Sequence, residues 1–198
     1  MKKQLDIRFW ILFAILAIVG VWRVWSTSTE TGFLQNFSPV GAMALFAGVY
    51  FSNQYKAFLT PIIILLVSDL IIMQVIYPEY SNGLLYDGWY WTYIGFLGMV
   101  TVGFAFRNQK VLTSVIAGGL IAGTVHFLIS NFGVWLGGGL SITGQPYASS
   151  FSGLLEVYVA GIPFFKNMLA GNLIFGAALF GTFELIKSRV PSLAFASK

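Results

Sequence analysis

The stretch that decides the architecture is Gly123 to Gly139, GTVHFLISNFGVWLGGG. Its first two-thirds read as an apolar helix, it holds the only histidine of the chain, His126, and an asparagine, Asn131, and it ends in Trp135 and three glycines. In water such a run would be ordinary core. Between lipid-facing helices, His126 and Asn131 must face other helices or an aqueous pocket, because hydrocarbon offers polar groups no partners. The stretch therefore poses two questions: whether the flanking sequence is membrane-spanning, and what surrounds these two side chains.

Composition answers the first. Of 198 residues, 57% are hydrophobic and 9% charged, with a mean hydropathy of +0.80, whereas a soluble domain carries about 25% charged residues. The chain reads as an all-α integral membrane protein, a single transmembrane domain over residues 1–198. Six spans are expected, at about 7–25, 38–52, 57–76, 89–106, 111–136 and 164–186. These leave no segment for an ATPase domain. The basic start Met1-Lys2-Lys3 followed by an apolar run also suits a signal peptide, but VWRVWSTS lacks a small-x-small cleavage pattern, so the first helix reads as retained. Ser38-Pro39 supplies an N-cap and first-turn proline for the second span, which is crowded with small residues. Residues 151–190 are too long for one span, and the expectation is a short interfacial or re-entrant helix, a break at Pro163 and then the sixth span.

Basic residues favour cytoplasmic loops. In this topology Lys2, Lys3, Arg8, Lys56, Arg107, Lys110, Lys187, Arg189 and Lys198 fall on one side, Arg23 on the other, and Lys166 within the bilayer. That asymmetry places both termini in the cytoplasm and explains the net charge of +4 without nucleic acid. Glu30, Glu79 and Asp87 fall on the outer side.

With the orientation set, Asp69, His126, Asn131, Glu156, Lys166 and Asn167 all lie in the outer half, along with Trp22, Trp25, Trp89, Trp91, Trp135, Tyr86, Tyr90, Tyr93, Tyr147 and Tyr158. The inner end has mainly Trp10 and Tyr55. Aromatic residues also anchor helices at interfaces, so the outer group reads either as anchors or as pocket walls. A charge at depth costs about 2.5–3.5 kcal/mol on insertion scales. Asp69 and Lys166 therefore need partners. Lys166 could pair with Glu156 or Asp69, hold an anionic substrate, or snorkel to the interface. Glu184 and Lys187 form an i,i+3 pair at the inner end. His126 and Asn131 lie five residues apart, about 140° around the helix, so one is expected to face a pocket and the other a neighbouring helix. The candidate substrate-binding set is Asn131, His126, Lys166, Asn167, Trp135, Trp89, Tyr158, Asp69 and Glu156.

Zero cysteines exclude thiolate chemistry, one histidine cannot build a multi-histidine metal site, and the HExxH, GxSxG and GxxxxGK[ST] patterns are absent. The expectation is binding or transport rather than catalysis, with no cofactor and no metal.

NFSPVGAMALFAGVYF (Asn36 to Phe51), HFLISNFGVWL (His126 to Leu136) and GIPFFKNMLAGNLIFGAALFG (Gly161 to Gly181) resemble an uncharacterised family of bacterial membrane proteins. That family is regarded as similar to the substrate-binding S components of energy-coupling factor (ECF) transporters. The resemblance implies six helices in the bacterial inner membrane, a vitamin-like or other micronutrient site toward the outer face, and inner-side docking to a membrane coupling subunit with its ATPases. Many S components dock through an Ala-xxx-Ala motif on the first helix. Here Ala14, Ala17 and Gly20 are spaced by three, and the small face Gly41, Ala44, Ala47 and Gly48 stands as the candidate docking surface. The alternatives are a stand-alone secondary transporter or channel, and a structural membrane protein without ligand.

Overall fold

A computed structural model describes residues 7–28, 36–190 and Leu193. The expectations placed on Lys2, Lys3, Glu30 and Lys198 lie outside the described residues. The chain forms α1 (Ile7–Thr27), α2 (Val40–Tyr50), α3 (Gln54–Ile76), α4 (Trp89–Ala105), α5 (Val111–Leu136) and α6 (Phe151–Arg189). Ile72–Ile76 and Ser114–Gly118 are wound more loosely, as π-helical turns. Asn53 caps α3 by accepting from the Lys56 amide at 3.1 Å, so Gln54 to Lys56 belong to its first turn rather than to a separate loop. Ser150 caps α6 through the Gly153 amide at 3.3 Å.

Four helices, α1, α3, α5 and α6, are long and apolar enough to cross a membrane. This is a membrane protein by its helices. The α4 helix has 17 residues. The expected second span differs most: α2 has 11 residues, about 16 Å at 1.5 Å per residue, half the thickness of a bilayer's hydrocarbon.

Every residue of α2 is buried, as befits a helix that is apolar all round. It runs parallel to α4 and α6 at the centre of the bundle. A Cβ at Gly48 would lie 2.2 Å from the Val100 carbonyl oxygen and 2.8 Å from the Gly103 Cα, and one at Gly41 2.8 Å from Met99 Cε. The backbones of α2 and α4 therefore touch where two glycines meet. This corrects the docking assignment. Gly41, Ala44, Ala47 and Gly48 are interior, spent on packing within the chain and unavailable to another subunit. Below them Phe46 packs edge-on against Phe180 and Phe183 at 5.3 and 5.8 Å, and Tyr50 lies 4.5 Å from Phe183.

The expected break at Pro163 is also absent, since α6 is one helix of 39 residues. Proline removes one backbone donor; ending the helix there would strand several groups in apolar surroundings. Pairing with α5 also continues through the proline. Gly161 lies against Asn131 and Phe127, the Phe127 and Phe165 rings stack at 4.4 Å, and Gly123 meets Leu169. No separate re-entrant helix forms.

A buried helix end needs partners for its carbonyls. Arg107 donates to Gly48 O at 2.9 Å and Phe51 O at 2.7 Å, and Arg8 donates to Tyr50 O at 2.8 Å and to Leu193 O. These two cations also suit the negative end of the α2 dipole. Glu184 accepts from Tyr50 at 2.7 Å and pairs with Lys187 at 2.5 Å, as its i,i+3 spacing predicts. Arg107→Ala should lower stability by about 2 kcal/mol by leaving two interior carbonyls unpaired. Unfolding of the purified protein in detergent measures this, and an unchanged transition would mean that water reaches those carbonyls.

Candidate functional site

The site follows from where α2 begins. Its first turn stands level with Met99 on α4 and Asn172 on α6, because Gly41 packs against both. Residues 36–39 must therefore descend into the bundle, and Gly171 admits them: a Cβ there would sit 2.9 Å from Ser38 O. The Ser38 hydroxyl accepts from the Val40 amide at 3.3 Å and Pro39 O from Met43 at 2.9 Å, whereas the amides of Gly41 and Ala42 have no acceptor among the described residues. Above this point α1, α4, α5 and α6 continue without a helix between them. The space left is a cavity of about 480 Å³, within the usual range for a small-molecule site.

Each wall shows helical spacing. From α1 come Arg23, Ser26 and Thr27; from α4, Thr92 and Phe96; from α5, His126, Phe127, Ser130, Asn131 and Val134; from α6, Gly161, Phe164, Phe165 and Met168. Tyr86 closes one side, and Asn36, Ser38, Val40 and Gly41 form the floor. Burial, followed by the nearby charge of Asp69, pushes the Tyr86 phenol up to about 12, so it remains neutral.

His126 and Asn131 both border the cavity, from opposite edges of the α5 face. His126 turns toward α4, where a Cβ on Gly95 would lie 2.8 Å from its Cδ2 and Phe96 lies 4.5 Å away. Both imidazole nitrogens are shielded and have no partner among the described residues. Asn131 turns toward Gly161 on α6. Its amide nitrogen donates to Phe127 O at 2.9 Å within its own helix, which leaves its oxygen for another donor. Among the described residues no three His, Asp or Glu side chains converge as metal ligands.

The remaining candidates do not border the cavity. Asp69 is 1% exposed and accepts from Arg23 at 2.5 Å and from Tyr93 at 2.8 Å, while Arg23 also donates to Ser68 at 2.8 Å. Its partner is thus Arg23 and not Lys166. This joins α1, α3 and α4. Lys166 and Glu156 are exposed and in no ion pair among the described residues, and Asn167 is half-buried. Trp135 donates to Ala148 O at 2.9 Å and ties down the loop between α5 and α6, Tyr158 donates to Leu128 O at 3.0 Å, and Trp89 packs edge-on against Tyr93 at 5.1 Å.

The residues missed by sequence reasoning are chiefly Arg23, Ser38, Thr92, Phe96, Phe127, Ser130 and Phe165. Two signals were available: Arg23 is the lone basic residue at its end, and Phe127 and Asn131 share an i,i+4 face.

Fold and site together define a helical membrane protein whose short central helix leaves a cavity of mixed polar and apolar lining in one half of the bundle. Residues 3–193 match the model of a family of unknown function, DUF6580, and the chain belongs to that family. No curated protein and no solved structure matches it.

Removing one partner of a mostly buried ion pair strands the other charge, so Asp69→Ala should destabilise the protein by about 3 kcal/mol. The double variant Arg23→Met with Asp69→Leu should recover most of that. Thermal unfolding of both tests it, and a double variant no more stable than Asp69→Ala would show that the pair acts through more than its charges.

Proposed function

We propose that this protein is a membrane-embedded binding protein that takes a small, vitamin-like nutrient from the outer face and serves its uptake. The observation that carries the reading is the cavity, open space in one half of a bundle whose other half is packed around Phe46, Phe180 and Phe183. Arg8, Lys56, Arg107, Lys110, Lys187 and Arg189 gather at the packed end, which the basic-residue bias assigns to the cytoplasm. The cavity then faces outward. In this reading all six helices lie in the bacterial inner membrane with both termini inside, arranged like an ECF S component. A cavity closed on the inner side needs a conformational change to release its ligand, so energy comes from separate subunits, a membrane coupling subunit with ATPases. The protein itself is not an enzyme. With α2 interior, any docking surface must lie on the outward faces of other helices.

Native mass spectrometry of the protein purified gently from its membrane should find a bound small molecule. Ser130→Trp, which puts an indole into the cavity, should abolish it, and Asn131→Ala should weaken it about 5- to 150-fold through a polar group left unpaired. A molecule held equally by the parent and by Ser130→Trp would place binding elsewhere.

Orientation is testable separately because the chain has no cysteine. Cysteines introduced at Ser81 and Ser141 should react with an impermeant reagent in intact cells, and one at Asn108 only after permeabilisation. The reverse pattern would turn the cavity to the cytoplasm.

A further inference from the structure

We infer, resting on the binding reading above, that the cavity selects an uncharged, ring-containing ligand over the acid or amine built on the same ring. Arg23 is the only charged side chain among the described residues that line the cavity. Its charge is already answered by Asp69 at 2.5 Å, and Asp69 is saturated in turn by Tyr93 at 2.8 Å.

An ion entering from water gives up its hydration and must find a counter-charge. A cationic ligand finds none, because Asp69 lies behind Arg23 at 1% exposure. An anionic ligand can reach the Arg23 N–H groups that Asp69 and Ser68 leave over, but the charge there is already balanced by Asp69, so it gains a hydrogen bond and no free counter-charge. The start of α2 adds only partial positive charge, which the dipole of a ligand carbonyl answers. A neutral ligand pays neither penalty. The hydroxyls of Ser38, Thr92 and Ser130 and the amide of Asn131 offer hydrogen bonds, and Phe96 and Phe127, each already packed against a neighbouring ring, add aromatic surface to the wall.

The test uses the full chain purified in detergent and three probes on one ring system: indole-3-acetamide, indole-3-acetate and tryptamine. Affinity-selection mass spectrometry at pH 7.5 should retain the amide at least 10-fold over both others. Asp69→Asn keeps the shape but frees the Arg23 charge, so the acetate-to-amide ratio should rise at least 10-fold. If that variant does not fold, Arg23→Met with Asp69→Leu serves instead, and it should keep the parent's preference for the amide. Parent protein that retains acetate or tryptamine as well as the amide overturns the inference. So does folded Asp69→Asn with an unchanged ratio, or a double variant that loses the amide preference. A charged probe held by the parent but lost in Ser130→Trp would remove the neutrality claim and keep the cavity as a binding site. Retention of no probe above the Ser130→Trp level, with no copurified molecule, would remove both.

Discussion

The contact on which the structure depends is the backbone approach of α2 to α4 at Gly48 and Gly103. A single methyl group on Gly48 would fall 2.2 Å from a carbonyl oxygen, so the approach exists only because neither residue has a side chain. It lets an eleven-residue helix sit at the centre of the bundle with every residue buried. One half of the bundle is thereby filled. The other half, beyond the first turn of α2, is left open, and the cavity is the volume that this short helix does not occupy.

A central helix that stops inside the protein exposes its backbone ends to apolar surroundings, and the chain answers the two ends differently. At the carboxyl end Arg8 and Arg107 donate to Tyr50, Gly48 and Phe51 carbonyls, so two basic residues hold the end of the core helix. At the amino end the Ser38 hydroxyl accepts from the Val40 amide, and the Gly41 and Ala42 amides, the first of them at the cavity floor, have no acceptor among the described residues. At the packed end the Gly48, Tyr50 and Phe51 carbonyls are paired, and at the open end two backbone amides have no acceptor among the described residues.

The same economy governs the charges at depth. Asp69 is nearly inaccessible, yet both carboxylate oxygens are engaged, one by Arg23 and one by Tyr93. Three helices are tied together by one buried pair. Arg23 thereby supplies hydrogen-bonding surface to the cavity without leaving it charged. The cavity wall is thus made of hydroxyls, an amide and aromatic side chains, with the one charged side chain among its described lining residues already paired.

Composition and the 3.6-residue period by themselves determined that this is a helical membrane protein, because apolar runs of about 20 residues have no other stable home. The Glu184–Lys187 pair and the place of His126 and Asn131 on the fifth helix were legible for the same reason: both depend on spacing along one element. The partners of Asp69, the continuation of α6 through Pro163 and the interior position of Gly41, Ala44, Ala47 and Gly48 were not. A small-residue face is the same sequence signal whether the backbone it admits belongs to this chain or to another. Likewise, one missing proline donor ends a helix only if no neighbour holds it in line, and α5 holds α6 on both sides of Pro163. The cavity has no local signature, since it is bounded by four helices and floored by the start of a fifth. Only tertiary packing, which sets how deep α2 begins, decided that Arg23, Ser38, Phe127 and Ser130 share a surface with His126 and Asn131.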